Sequence, residues 1–469
     1  MTSIQSDARL QQVIGLLETV CGCSYVITGE EDLRAYGSDE TQDLYFPFDI
    51  LVKPADEKEI GELLRICNRY RIPVTPRGGG SGVTGGALPV QKGVVLSTER
   101  LNKIITINET DRYVIAECGV ITQELCEAVE EKGLFFPVAP TSRAFSFVGG
   151  NVAENAGSMY SCKYGTTSRY VINLQVVLPN GEIFWTGANV EKNATGLDLT
   201  RLFVGSEGLL GVITKVVFRL LPKPRVSALM LTGFDDLAMA CEAVIAIRRS
   251  GLSPAAAELI GHSALQLTRA YLKESFPLTA DRIKAHLLIE LNAADENRLA
   301  FETETVAQLL GEYTQDEIFL GSSSPEKERL WMIRRNIGNA LKSENRLYRD
   351  IDVCIPLSFV YRYISGVEEI CKREGVAVAC FGHVLDGNLH TMLHWEKASF
   401  PGEDHFAAVL HEIYDFAISN GGVISGEHGI GYLQKEFMPL QFPASSLRLM
   451  KEIKTVFDPE GIMNPGKVL

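Results

Sequence analysis

No stretch of this sequence stays apolar for the roughly 18–20 residues that a membrane-spanning helix needs, so a helical membrane protein is not expected. No Cys-x-x-Cys occurs among its 10 cysteines, which argues against a self-contained iron–sulfur cluster or zinc ribbon. The cysteines are scattered, mostly in apolar surroundings, as buried thiols of a reducing compartment are. Cys21-Gly22-Cys23 is a lone close pair. Positive charge is in deficit: 45 Lys and Arg stand against 59 Asp and Glu, for a net charge of −14. Such a polyanion is a poor general partner for nucleic acid or an anionic membrane. The N-terminus, MTSIQSDARL, lacks the basic-then-apolar pattern of a secretory leader, so a cytoplasmic protein is expected, held at a membrane, if at all, through a partner.

What is present is ordinary globular material: 469 residues, 46% hydrophobic and 22% charged, enough for two or three domains. Histidine alone is unevenly spread. None of the 8 precedes His262, and six (His383, His390, His394, His405, His411 and His428) share one 46-residue stretch.

Residues 7–20 read as an amphipathic helix. Asp56 with Glu59 forms a capping-box pattern ahead of Ile60, Leu63, Leu64 and Cys67 at helical spacing, and Pro73 is expected to end that helix. Strands are predicted near 72–75, 93–97, 113–117, 171–178 and 182–187, with a helix near 121–132 and a turn at Asn180-Gly181. Leu221-Pro222-Lys223-Pro224 marks a boundary. Residues 227–380 alternate strand and helix, a second α+β lobe with a helix over 325–343 and a strand over 350–355. The last 40 residues are expected to be mostly helical.

Three glycine-rich stretches stand out. Arg77-Gly78-Gly79-Gly80-Ser81-Gly82-Val83-Thr84-Gly85-Gly86 contains a literal GxGxxG. A Rossmann fingerprint must open a helix, whereas here Ala87-Leu88-Pro89-Val90 and a predicted strand follow. Six glycines within nine residues carry a large entropic cost. Unhindered consecutive N–H groups suit a pyrophosphate, and Arg77 adds a cation. The second stretch, Pro140-Thr141-Ser142 and then Gly149-Gly150-Asn151-Val152-Ala153-Glu154-Asn155-Ala156-Gly157, mixes small residues with amides and suits backbone packed on a flat heteroaromatic ring. The third is Phe203-Val204-Gly205-Ser206-Glu207-Gly208-Leu209-Leu210-Gly211-Val212-Ile213.

In this order the three stretches resemble the FAD-binding lobe of the vanillyl-alcohol-oxidase (VAO/PCMH) type flavoproteins, and among them the D-2-hydroxyacid dehydrogenases: glycolate oxidase flavin subunit, D-lactate dehydrogenase and D-2-hydroxyglutarate dehydrogenase. The resemblance spans about residues 45–225 and 325–469. It implies an α+β protein: an N-terminal flap (1–44), a two-subdomain FAD-binding domain (45–225), a substrate or cap domain carrying a metal site (226–430) and a helical segment returning to the FAD domain (431–469). The implied FAD contacts are Pro76, Arg77, Gly78, Gly79, Gly80, Ser81, Gly82, Pro140, Thr141, Gly149, Gly150, Asn151, Ala153, Asn155, Gly157, Glu207, Gly208, Ile213 and Asn464. Ser158 departs from the family's NAGG. With no histidine in this lobe, a histidyl–flavin bond is excluded and non-covalent FAD is implied.

Within Gly382-His383-Val384-Leu385-Asp386-Gly387-Asn388-Leu389-His390, Asp-Gly between extended residues predicts a two-residue hairpin turn. His383 then pairs with His390 on one face, about 4.5–5.5 Å apart at Cβ, close enough to share a divalent cation; a wider turn shifts this register. Glu427, in Ser425-Gly426-Glu427-His428-Gly429-Ile430-Gly431, supplies a third ligand and leaves a coordination position open. His428, pointing away from Glu427 on an extended loop, is left to act as a base. The family patterns HxGDGNxH and SGEHGIG imply these same four roles, with Leu385 replacing a family glycine. The cation is Zn, Mn or Fe, which these ligands do not distinguish. His394, His405 and His411 match no such pattern.

In the helix 325–343, Arg334 shares the inward stripe of Leu330, Ile337 and Leu341. A buried guanidinium needs an anion: a substrate carboxylate, as the family's WxxR motif (Trp331 to Arg334) implies, or a structural salt bridge. Arg349 is a second expected substrate contact. The implied reaction is oxidation of a D-2-hydroxy acid, with His428 taking the hydroxyl proton. Full transfer from an alcohol near ~16 to an ordinary imidazole near ~6.5 is uphill by about 13 kcal/mol, so the base requires the metal's help. Without a nicotinamide site or cluster motif, the electrons are expected to leave to a quinone, a cytochrome or an electron-transfer flavoprotein, through partner subunits or from a homodimer. Two alternatives are a flavin-dependent transferase resembling alkylglycerone-phosphate synthase and an electron-relay subunit.

Overall fold

The computed structural model of the protein describes residues 3–41, 43–273, 276–321, 323–343, 347–396, 400 and 402–469. The chain divides into two units. The first comprises Met1–Ala156, Thr166–Lys223 and His428–Leu469; the second comprises Gly157–Gly165 and Pro224–Glu427. The expected return to the first unit after residue 430 falls earlier, on the peptide bond between Glu427 and His428. Residues 157–165, expected with the flavin lobe, belong to the second unit.

Among the described residues the first unit has two larger sheets, a two-stranded pair of Leu134–Phe135 with Leu221–Pro222, and helices. Ile50–Val52, Val94–Ser97 and Val74–Arg77 pair in parallel, with Val26–Ile27 antiparallel at the edge. The helix Glu57–Tyr70 is capped by Asp56, which accepts from the N–H groups of Lys58 (2.8 Å) and Glu59 (2.9 Å); the reciprocal bond expected of a capping box is displaced by one residue, Glu59 accepting from Ala55 (2.7 Å) instead of Asp56. Ile60, Leu63, Leu64 and Cys67 are fully buried, each large side chain contributing roughly 1.5–3 kcal/mol of burial. The helix ends at Arg71 in the left-handed conformation rather than at Pro73. A second, antiparallel sheet runs in the order Ile104–Asn108, Tyr113–Glu117, Val212–Arg219, Val171–Val177, Ile183–Trp185.

The second unit is one antiparallel sheet of seven strands: β1 (Val226–Phe234), β2 (Ala256–Gly261), β3 (Ala285–Ala293), β4 (Phe319–Gly321), β5 (Leu347–Cys354), β6 (Ala377–His383) and β7 (Asn388–Trp395), in the order β4-β1-β3-β2-β6-β7-β5. One face packs Leu229, Leu231, Ile260, Leu288, Phe381 and Met392 against the helices His262–Leu272, Ser324–Arg335 and Ile337–Ser343. The single helix expected over 325–343 is two, broken at Asn336. The other face carries Val360–Glu374 and Glu403–Ser419. With helices on both sides, the strands lose the polar-out alternation of a half-exposed sheet, and charged residues within them are buried or half-buried, Glu258 and Asp352 completely.

Candidate active site

Polar and charged residues form a row across the helix-covered face near Phe381: Glu290 on β3, Glu258 on β2, His383 on β6, His390 and the neutral Asn388 on β7, Asp350 and Asp352 on β5. Strand register sets the row, pairing Glu258 with His383 and His390 with Asp352. His383 Nε2 and His390 Nε2 lie 3.5 and 3.4 Å from the same Glu427 oxygen. Ligand atoms of these three residues all lie within 4.8 Å of one another. Their outer nitrogens are backed by carboxylates: His383 Nδ1 hydrogen-bonds Glu258, and His390 Nδ1 lies 3.6 Å from Asp350. A carboxylate behind each imidazole leaves Nε2 turned toward Glu427, where a cation could be held. Two imidazoles and a carboxylate therefore fit a divalent cation. Burial opposes charge on all three, yet the mutual pairing wins: Glu258 and Glu427 raise His383 to about 9, Asp350 and Glu427 raise His390, and the two histidines hold Glu427 well below the carboxylate range.

The loop bearing Glu427 is fastened by Asp352, which is fully buried. One Asp352 oxygen accepts from Ser425 Oγ (3.1 Å) and from the N–H groups of Gly426 (3.0 Å) and Glu427 (2.8 Å); the other accepts from Asn388 Nδ2 (2.6 Å). Gly157, an expected flavin contact, lies against the Glu427 carboxylate: a Cβ there would sit 2.4 Å from Glu427 Oε2. Only glycine leaves that room.

The expected hairpin register needs correction. His383 pairs with Asn388, and His390 with Phe381; the turn is Val384-Leu385-Asp386-Gly387, four residues rather than two. The Val384 N–H donates to Ala257 of β2 (3.0 Å) and its carbonyl accepts from Gly387 (3.2 Å), so residue 384 is held by the neighbouring strand and cannot extend the hairpin. The shift is by two residues, and side chains alternate with period two, so both histidines stay on one face as diagonal neighbours with ring centroids 5.6 Å apart.

Arg334 is buried as expected, and an anion meets it: Glu258, which accepts from Arg334 Nε and so lies between it and His383. Its guanidinium carbon sits 4.7 Å from the centre of the Phe381 ring. With Arg334 and His383 on either side outweighing its burial, Glu258 is held at about 2. Trp331 Nε1, one turn earlier, donates to Glu290 (3.0 Å). Arg349 is a correction. It alternates with Asp350 on β5, so it stands on the opposite face, its guanidinium 5.6 Å from the Phe406 ring of the helix Glu403–Ser419. It is on the wrong side of the sheet to share an anion with Arg334. His394 is buried away from the cluster, and His405 and His411 lie on that same outer helix.

In the first unit the three glycine stretches converge. Gly78 packs beside Phe147 and Gly150; Gly208 lies against Pro76 and Asn464; Gly86 lies against Glu154 and Glu207. Asn464 ties two of the stretches, donating to the carbonyls of Gly86 (3.1 Å) and Glu207 (2.7 Å). The residues present fit FAD. Arg77 is 8% exposed and its Nη1 has no hydrogen-bond partner, which asks for an anion. A Cβ at Gly82 or Gly150 would meet no atom within 4 Å, so the backbone there is open to a ligand. Several expected contacts have work inside the protein. Gly149, Gly150, Asn151 and Ala153 lie in a helix, Val148–Glu154, and a Cβ on Gly149 would sit 2.5 Å from that of Cys118. Asn151 donates to Thr122 (2.7 Å), and Asn155 caps the helix and accepts from Ser168 (2.9 Å). Ile213 is a buried strand residue; Pro140 is half-buried and Thr141 exposed. His428 belongs to this unit, its carbonyl accepting from Thr84 Oγ1 (3.2 Å).

Glu258, Asp350 and Asp352 are the residues that sequence reasoning missed. A signal existed. Each is an acid inside an apolar strand run (PAAAELIG, RDIDVCIP), and a buried acid demands a partner.

Residues 48–187 match the family model described as FAD binding domain, and residues 223–468 the one described as FAD linked oxidases, C-terminal domain. The chain is 33% identical to the Bacillus subtilis glycolate oxidase subunit GlcD over 92% of this chain and 91% of that one. It is 34% identical to a D-lactate dehydrogenase of Archaeoglobus fulgidus over 93% and 95%. Among solved structures it resembles p-cresol methylhydroxylase (TM-score 0.81, 19% identity, 98% and 97% covered) and alkyldihydroxyacetonephosphate synthase (TM-score 0.76, 17% identity, 97% and 85% covered), which places it in the VAO/PCMH-type fold. The chain belongs to the FAD-linked oxidases and is a flavin-dependent oxidoreductase.

Proposed function

We propose that the protein oxidises a small D-2-hydroxy acid (D-lactate, glycolate or D-2-hydroxyglutarate) to the 2-oxo acid. The observation that carries this reading is the His383–His390–Glu427 cluster with a carboxylate behind each imidazole and His428 next in sequence. Arg334 offers its terminal N–H groups to the substrate carboxylate, its Nε being engaged by Glu258; a guanidinium accepts anions on two edges. An imidazole nitrogen of His428 takes the hydroxyl proton as the hydride leaves C2, so the substrate loses one proton and one hydride. Bound FAD supplies the hydride acceptor. A divalent cation on His383, His390 and Glu427 supplies Lewis acidity toward the substrate oxygens. The names of the two relatives support this substrate class, and the electrons then pass to a non-nicotinamide acceptor: a quinone, a cytochrome or an electron-transfer flavoprotein.

The test is anaerobic addition of D-lactate, glycolate and D-2-hydroxyglutarate to FAD- and metal-loaded protein, following the oxidised-flavin absorbance. One of them bleaches it, and failure of all three refutes the assignment. His428→Ala keeps FAD and metal yet bleaches at least about a hundredfold more slowly; bleaching at the normal rate removes His428 from the role of base.

A further inference from the structure

Glu207 occupies a turn built for glycine. Gly205 and Gly208 on either side have φ of 76° and 73°, and Glu207 itself has φ 47°. In that left-handed region an L side chain is strained and glycine is the relaxed choice. A strained non-glycine residue persists where its side chain is needed. This side chain is 7% exposed and does not extend into open loop. Its two oxygens accept from the N–H groups of Ile430 (2.9 Å) and Gly431 (2.7 Å), two and three residues after His428.

The same loop is held from a second side. Thr84, in the first glycine stretch, accepts at its carbonyl from the N–H groups of Tyr432 (2.8 Å) and Leu433 (3.1 Å), and its hydroxyl donates to the His428 carbonyl. Gly429 is gripped between acids: a Cβ there would lie 2.0 Å from Glu154 Oε2 and 3.2 Å from Glu207 Oε1. Gly431 has φ 54° and touches Thr84. Every residue from 428 to 433 is thus bonded to, or packed against, a residue of the glycine stretches.

We infer that Glu207 is a positioning residue for His428, a carboxylate clamp on the loop that carries the base, and that it takes no part in holding FAD. The inference rests on the reading of His428 as the base. It accounts for an acid in a motif where a flavin phosphate would be repelled by one, and for the strain at φ 47°. Both oxygens are used, so glutamine, with one acceptor, retains half of the clamp, and glycine retains none while relaxing the backbone.

The experiment uses the FAD- and metal-loaded full chain with whichever of D-lactate, glycolate and D-2-hydroxyglutarate bleaches the wild-type flavin, and compares Glu207→Gln, Glu207→Gly and His428→Ala. The clamp predicts kcat lowered at least about tenfold in Glu207→Gly and less in Glu207→Gln, with KM within about twofold and FAD content unchanged. Hydrogen exchange in the peptide over residues 428–433 is faster in both Glu207 variants. Loss of FAD in proportion to loss of turnover would make Glu207 a cofactor residue and overturn the inference, as would full turnover with unchanged exchange in either variant. If Glu207→Gly fails to fold, Glu207→Gln alone decides by the same two readouts. Normal turnover in His428→Ala refutes the base reading instead; faster exchange and slower turnover in the Glu207 variants would then mark the clamp as acting through another residue of the loop.

Discussion

Replacing Glu258 by glutamine tests the site at its most connected point. The carboxylate is fully buried, and each oxygen takes one charged donor, Arg334 Nε–H on one and His383 Nδ1–H on the other. Glutamine exchanges one acceptor for an NH2 group, so one of the two donors faces another donor. In either case Arg334 loses its buried counter-charge. Removing one partner of a buried pair costs about 3–5 kcal/mol. In a unit of about two hundred residues, each kcal/mol lowers the melting midpoint by roughly 2–4 °C, so the metal-free variant should melt roughly 6–20 °C lower. Loss of the acceptor behind His383 should weaken the metal about 10–100-fold, read by competition with a coloured chelator. Adding Arg334→Met removes the stranded cation, and Glu258→Gln/Arg334→Met should recover at least half of the lost melting temperature while leaving the metal weak. A Glu258→Gln protein that melts within about 2 °C of wild type, or a double variant that melts below the single one, would refute the account of Glu258 as the shared counter-ion.

Other expectations follow from neighbouring contacts. Asp352→Asn keeps one acceptor where two oxygens fasten the Glu427 loop and Asn388; metal affinity should fall by roughly tenfold in the same chelator assay, and unchanged affinity would show that the loop holds itself. Arg349→Ala should leave KM for every 2-hydroxy acid within about twofold, since its guanidinium lies on the other face of the sheet; a tenfold rise in KM would contradict that placement. Lys467 is almost fully buried, and burial lowers it from 10.5 to about 7 despite Asp39, Glu207 and Glu154 nearby. The unfolded chain then holds more protons between about pH 7 and 10.5, so stability rises with pH across that window, by up to about 5 kcal/mol at ~1.36 kcal/mol per pH unit. Lys467→Met should flatten the rise in melting midpoint between pH 7 and 9, and an equally steep rise in the variant would refute the assignment.

Much of this was legible along the chain because it depends on local rules. Asp56 caps its helix as the residue pattern dictates, with Glu59 reaching back to Ala55, and the three glycine stretches meet in space as expected of a single ligand cradle. The division of labour inside those stretches was not legible. Gly149 is small for Cys118, Gly157 for Glu427, and Asn151 serves Thr122. A motif reports that a small residue or an amide is required, not which neighbour requires it. Arg334 illustrates the same limit: helical periodicity places it inward and demands an anion, but whether that anion is a substrate or Glu258 depends on a strand about 75 residues earlier.

The hairpin shows why a wrong register still puts His383 and His390 on one face. The choice between a two-residue and a four-residue turn rests on Val384, whose N–H is taken by Ala257 of β2, a contact that only the assembled sheet supplies. Widening the turn by two residues moves the pairing by two and conserves the face; widening it by one would have sent His383 and His390 to opposite sides. Parity is therefore the part of a strand pattern that survives an error in the loop. The same parity separates Arg349 from Asp350 within β5 and, once the strands are ordered, puts Glu258, Asp350 and Asp352 on one face with the histidines. What could not be had without the sheet is the order β2-β6-β7-β5, which puts a carboxylate strand on each side of the histidine hairpin and so lets each imidazole be held from behind while its other nitrogen is presented to Glu427.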